Sequence, residues 1–133
     1  MIASAEWKQD RLFDGVSESG QVVHFDAGPE HKLGLSPMEA VLAALCGCTS
    51  VDVVSILKKK REPLEGLTVS AVAEQAEEPP RVFTRIHLTY KIRGAVSAKA
   101  AEDAVALSKG KYCSVSKMLE KSADVDYSIE YES

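Results

Sequence analysis

The sequence predicts an α+β fold, and three observations carry that prediction. Segments of period-two apolar alternation and segments of helical spacing both occur, but they do not alternate strictly along the chain. One helical segment, from Ser36 to Lys60, is apolar on nearly every side. Two long alternating segments follow it, joined by a Pro-rich turn. The 133 residues suit a single domain, 1–133, long enough to bury a core.

Residues 4–13 and 21–27 read as a β-hairpin, because Ser17-Glu18-Ser19-Gly20 is turn-rich and Val22-Val23-His24-Phe25 favours strand. Residues 28–35 read as a loop. Ser36-Pro37-Met38-Glu39 is a strong helix start: Ser36 as N-cap, Pro37 at the first helical position, Glu39 completing a capping box. Lys58-Lys59-Lys60-Arg61 places positive charge at the negative end of that helix, and Pro63 and Gly66 stop it. An all-round apolar helix must be covered all round. One sheet of so small a protein cannot do that, so a second copy of the chain is the expected cover.

Leu67, Val69, Ala71 and Ala73 alternate with polar neighbours as a strand, and Glu77-Glu78-Pro79-Pro80 turns the chain. Val82, Thr84, Ile86, Leu88, Tyr90 and Ile92 then share one strand face, with Phe83, Arg85, His87, Thr89, Lys91 and Arg93 on the other. Ser97 starts a second helix that Gly110 breaks; a short helix follows from about Ser114 to Lys121. Val125, Tyr127, Ile129 and Tyr131 close the chain as a strand with an acidic outer face. The expected order is β-β-α-β-β-α-α-β.

Composition excludes several functions. The aromatic fraction is 6%, so aliphatic side chains and alanine must fill the core. A net charge of −4 with no basic bias argues against nucleic acid as a partner. Met1 to Glu6 shows no cationic segment leading into an apolar run. Asp52 interrupts the longest apolar stretch, which makes it a buried helix rather than a membrane span. Three cysteines are an odd count without Cys-x-x-Cys spacing, so free thiols in the cytoplasm are expected, with no metal and no cofactor. His24, His31 and His87 are scattered and read as surface residues; no hydrolase triad or phosphate loop stands out.

The chemistry therefore rests with the thiols. Cys46 and Cys48 flank Gly47 in the long helix and, two apart, point to different faces. Gly47 costs about 1 kcal/mol there relative to Ala, a residue usually kept where a backbone or ligand approaches closely. Both cysteines can equally be small core hydrophobes, and Cys46, off the Cys48 face, is expected to be structural. Cys113 precedes the short helix as its N-cap. A helix N-terminus lowers a thiol pKa, and Lys111 and Lys117 are near in sequence. A buried loop cysteine is the competing reading.

The run Ser36-Pro37-Met38-Glu39-Ala40-Val41-Leu42-Ala43-Ala44-Leu45-Cys46-Gly47-Cys48-Thr49-Ser50, with Lys111-Tyr112-Cys113-Ser114-Val115-Ser116-Lys117 downstream, resembles the OsmC/Ohr family of osmotically inducible proteins and organic hydroperoxide reductases. Pro37 lies eleven residues before Cys48, and Cys113-Ser114-Val115-Ser116 is similar to the family's second cysteine segment. The continuation Thr49-Ser50-Val51-Asp52-Val53-Val54 is closest to the YhfA-like branch. The resemblance implies an intertwined homodimer, with antiparallel sheets packed around a long buried central helix. It implies a thiol-dependent peroxidase that uses no cofactor, acting on organic hydroperoxides or hydrogen peroxide. Cys48 would attack the peroxide, Cys113 would resolve the sulfenic acid as a disulfide, and an external dithiol would reduce it.

Three further residues are possible supports. In the peroxidase branch a Glu directly follows the Pro and orients an Arg that holds the thiolate; here that position is Met38. Glu39 lies nine residues before Cys48, about 900° around a helix at about 100° per residue, so a capping role suits it better. Arg11 is the one arginine of the N-terminal strands, and Asp52 shares the face of Cys48, where its charge would oppose thiolate formation. The alternative to a peroxidase is a non-catalytic or redox-sensing dimeric protein that binds a small ligand on the same scaffold.

Overall fold

A computed structural model describes residues 1–132. They form two compact units, Met1–Leu42 and Ala43–Ser133. In the first unit, β1 (Ala3–Gln9), β2 (Leu12–Ser17) and β3 (Val22–Asp26) make an antiparallel sheet in that order. The sequence reading saw two strands here. A turn at Asp10 and Arg11 divides the first of them, with Asp10 at φ 49°. Aspartate tolerates that left-handed region better than most residues, so no Gly or Pro marked the turn. The expected turn at Ser17–Gly20 is present, between β2 and β3, with the Ser17 N–H donating to the Gln21 carbonyl at 2.9 Å.

Helix α1 spans Pro37–Lys59. Its capping box forms as the residues require: the Glu39 N–H donates to Ser36 Oγ at 3.1 Å, and the Ser36 N–H donates to Glu39 Oε1 at 2.8 Å. The helix is long and apolar enough to cross a bilayer by length and composition. Within one chain it buries a single stripe, Leu45, Thr49, Val53 and Leu57, at i, i+4 spacing. Val51 remains 69% exposed and Val41 is exposed as well.

In the second unit β4 (Gly66–Gln75) and β5 (Phe83–Arg93) form the expected antiparallel hairpin. The alternation along β5 is not the one expected. Gln75 pairs with Phe83 but Glu74 pairs with Arg85, so Thr84 is an extra residue in the ladder. A bulge of one residue inverts the face assignment beyond it. Phe83 is therefore buried with Ile86, Leu88, Tyr90 and Ile92, while Val82 and Thr84 are exposed.

After β5, Gly94 turns the chain at φ 112°, a conformation that favours glycine. Helix α2 (Ala98–Leu107) has Ser97 as its N-cap, the Ala100 N–H donating to Ser97 Oγ at 3.2 Å. Gly110 does not break the chain's helical course as expected. α2 runs on through a π-helical turn, Ser108–Tyr112, and ends at Cys113. α3 (Ser114–Leu119) follows at once. Strand β6 (Asp124–Glu132) then pairs with β5 in parallel, so this sheet is mixed, in the order β4-β5-β6. The helical crossover carries the chain back to the starting end of the sheet, which is what a parallel neighbour requires. The apolar faces of β5, α1 and α2 supply most of the buried side chains, including Leu45, Val53, Leu57, Ala101, Ala104 and Val105.

Candidate functional site

The site is assembled within the second unit from three pieces: the middle of α1, the centre of β5 and the π-helical turn. Cys48 projects from α1 and is half-buried. Cys113, fully buried, ends the π-helical turn. Cys48 is a near neighbour of the Cys113 thiol and acts on it through its side chain. Residues 65 positions apart in sequence are thus brought side by side.

The π-helical turn is what places Cys113. An extra residue per turn leaves the Cys113 N–H donating to the Ser108 carbonyl at 2.7 Å, five residues back. Cys113 is the N-cap of α3, as expected, with the Ser116 N–H donating to its Sγ at 3.4 Å. The expected electrostatic consequence does not follow. Burial is the largest influence on this thiol and pushes it up to about 11; contact with Cys48 and the charge of Asp52 act in the same direction, against the one hydrogen bond from Ser116. Desolvation therefore outweighs a helix N-terminus of six residues. The two lysines expected to help are engaged elsewhere: Lys111 lies over the Tyr112 ring at 5.3 Å, and Lys117 pairs with Glu120 at 3.6 Å.

Asp52 is tied to the π-helical turn that ends at Cys113. Its Oδ2 accepts from Ser108 Oγ at 2.8 Å, and its charge acts on Cys113. Ser108 Oγ lies 2.7 Å from Thr49 Oγ1, which lies 2.7 Å from the Tyr90 hydroxyl. Each hydroxyl has one proton to give. Because Ser108 spends its proton on a carboxylate, Thr49 must donate to Ser108 and Tyr90 must donate to Thr49. The chain of hydrogen bonds therefore runs one way, from Tyr90 through Thr49 and Ser108 to Asp52. Thr49, Tyr90 and Ser108 are all buried, and burial pushes the Tyr90 phenol up to about 12. The sequence reading missed these three residues. A signal existed for two: Thr49 is the one polar member of the 45, 49, 53, 57 stripe, and Tyr90 carries a hydroxyl between the apolar Leu88 and Ile92 of its strand face.

The other residues singled out have surroundings of their own. Cys46 is half-buried, its thiol raised by burial. Glu39 is held in the capping box, where the Ser36 N–H keeps its carboxyl below the usual range. Arg11 sits exposed in the β1–β2 turn, its carbonyl accepting the Ala27 N–H at 2.9 Å. The parallel pairing of β5 with β6 also builds an arrangement invisible in the sequence: His87 Nδ1 lies 2.7 Å from Asp126 Oδ1, and His87 Nε2 lies 3.0 Å from Ser128 Oγ. These groups have the order of a hydrolytic triad. They lie exposed on an open sheet face that also carries the Arg85–Glu74 and Lys91–Glu132 pairs, and they read as part of that charged surface.

Comparison with known proteins places this geometry. The family model described as OsmC-like protein matches residues 28–128. The chain is 41% identical over 131 residues to the protein YhfA of Escherichia coli strain K12, covering 98% of this chain and 97% of that one. Among solved structures, a protein of Aquifex aeolicus VF5 is similar at TM-score 0.85 and 30% identity, covering 99% of this chain and 97% of the other. The organic hydroperoxide resistance protein OhrB of Bacillus subtilis shares the fold at TM-score 0.71 and 14% identity, covering 97% and 96%.

Proposed function

Because this chain belongs to the OsmC-like protein family, we propose that it is a cytoplasmic homodimeric peroxidase that works through Cys48 and Cys113. The observation that carries this reading is that the tertiary fold brings Cys48 and Cys113 near enough to act on each other. Cys48, the more accessible, attacks the O–O bond of an organic hydroperoxide or of hydrogen peroxide. The sulfur becomes a sulfenic acid and the alcohol or water leaves. Cys113, held protonated by burial, is the resolving thiol: it condenses with the sulfenic acid to a disulfide and releases water. A dithiol then returns both cysteines to thiols. Relatives of this fold named for organic hydroperoxide resistance support the substrate class.

The homodimer is supported by what α1 leaves uncovered. Gly47 has nothing within 4 Å of the position a Cβ would take, among the described residues. It lies on the exposed side of the helix with Ala43 and Val51. A glycine that weakens a helix and faces open space is explained when a second copy packs its backbone there.

The test is peroxide consumption with a dithiol reductant, wild type against Cys48→Ser, followed by peptide mapping after one equivalent of peroxide. The expected results are turnover abolished by the substitution and a Cys48–Cys113 disulfide within one chain. Thiols left untouched by peroxide would overturn the reading in favour of a dimeric small-ligand-binding protein. That second reading has an observation of its own, a cavity of about 450 Å³ lined by Asp52, Ser55, Ile56, Lys59, Lys60, Leu107 and Tyr112.

A further inference from the structure

We propose that Asp52 is the proton acceptor for Cys113 in the step that closes the disulfide, and that Tyr90, Thr49 and Ser108 are positioning residues that hold it there. This rests on the two-thiol reading above and extends it to a residue with no assigned part in the reaction.

The chemistry of resolution poses a specific problem. For Cys113 to attack, its proton must leave, and Cys113 is fully buried. Bulk water cannot take that proton directly. Of the groups that act on this thiol, Cys48 is the reaction partner and the Ser116 N–H is a donor; Asp52 is the carboxylate. Tyr90, on β5, is held as a neutral phenol by burial and is no base. Lys109, in the π-helical turn, is paired with Glu120 at 3.0 Å.

The geometry suits Asp52 to both ends of the step. It lies one helical turn past Cys48 on α1, the spacing at which side chains are neighbours on a helix surface. Ser108 fixes it relative to Cys113: the Ser108 hydroxyl donates to Asp52 Oδ2 at 2.8 Å while the Ser108 carbonyl accepts the Cys113 N–H at 2.7 Å. One residue thus holds the proton acceptor and the backbone of the proton donor. The one-way hydroxyl chain keeps the Ser108 proton committed to Asp52, because Thr49 already donates to the Ser108 oxygen. Asp52 also lines a cavity with Ser55, Lys59, Lys60 and Tyr112.

The step balances without a further reagent. The hydroperoxide has already oxidised Cys48 to the sulfenic acid. The Cys113 proton moves to Asp52, and the sulfur electron pair forms the S–S bond to Cys48. The S–O bond breaks with its pair on oxygen, and the departing hydroxide takes the proton from Asp52 to leave as water.

Single-turnover kinetics on the full-length protein test this, using one equivalent of hydrogen peroxide. Sulfenic acid is trapped with dimedone and disulfide is quantified by mass spectrometry. In Asp52→Asn the amide oxygen still accepts from Ser108, but the base is gone. The sulfenic acid on Cys48 should accumulate and disulfide closure should slow by about 10²-fold or more. The closure rate should then climb about tenfold per pH unit as hydroxide replaces the carboxylate. Ser108→Ala, which keeps the carboxylate but frees it, should slow closure to a lesser extent, and Asp52→Glu should restore part of the rate. Closure at the wild-type rate in Asp52→Asn overturns this proposal and leaves the peroxidase reading standing. Should Asp52→Asn fail to fold, an unchanged closure rate in Ser108→Ala overturns it equally. A wild-type protein that forms no sulfenic acid overturns the peroxidase reading itself, and this proposal with it.

Discussion

At the scale of the residue, Cys113 shows why local rules of thiol reactivity need magnitudes. A helix N-terminus and nearby lysines favour thiolate, yet α3 is one short helix and the lysines point elsewhere. Full burial decides the outcome, and the thiol rises from its ordinary 9.0 to about 11. The consequence for stability has a definite sign. The folded state keeps this proton at pH values where the unfolded chain has lost it. The stabilisation is therefore complete below about pH 9 and is lost as pH rises toward about 11. Urea unfolding across that window should show wild type losing stability more steeply than Cys113→Ser. The slope that remains should belong to Cys46, Tyr90 and Tyr131, all also raised by burial. Equal slopes in the two proteins would show that Cys113 is not shifted.

At the scale of the element, the hydroxyl chain ties three pieces of structure together: α1 through Thr49, β5 through Tyr90, and the π-helical turn through Ser108. Thr49→Val keeps the shape and removes the link. It leaves the buried Tyr90 hydroxyl without its acceptor and Ser108 without its donor. A buried polar group left unsatisfied costs about 1–3 kcal/mol, so Thr49→Val should destabilise the fold by roughly that amount in equilibrium unfolding. A double-mutant cycle with Tyr90→Phe should show coupling, since the second change removes the orphaned hydroxyl. Strict additivity would mean the link contributes nothing.

At the scale of the whole molecule, the uncovered side of α1 is the dominant feature. Gly47→Leu adds a large side chain where one chain has open space, and it replaces the poorest helix former short of proline. A single chain should accept it. A dimer built on close approach at Gly47 should not. Sedimentation at micromolar concentration should find wild type dimeric and Gly47→Leu as folded monomer. A variant that dimerises as wild type does would remove Gly47 from the interface.

Much of this protein was legible along the chain. The α+β class, the capping box at Ser36, the Ser97 cap, the β4–β5 hairpin and the family all follow from local chemistry, because caps, turns and alternation act over a few residues. The same runs single out Cys48 and Cys113 as the candidate thiols. What the tertiary structure decided depends on pairs distant in sequence. The Thr84 bulge and the π-helical turn at Ser108 each insert one residue, and β6 docks in parallel on β5, none of which a local pattern encodes. The nearness of Cys48 to Cys113, and the chain from Tyr90 to Asp52, exist only where α1, β5 and that turn meet. There burial, rather than sequence neighbours, sets the protonation of Cys113 and Tyr90, because desolvation depends on everything packed around an atom.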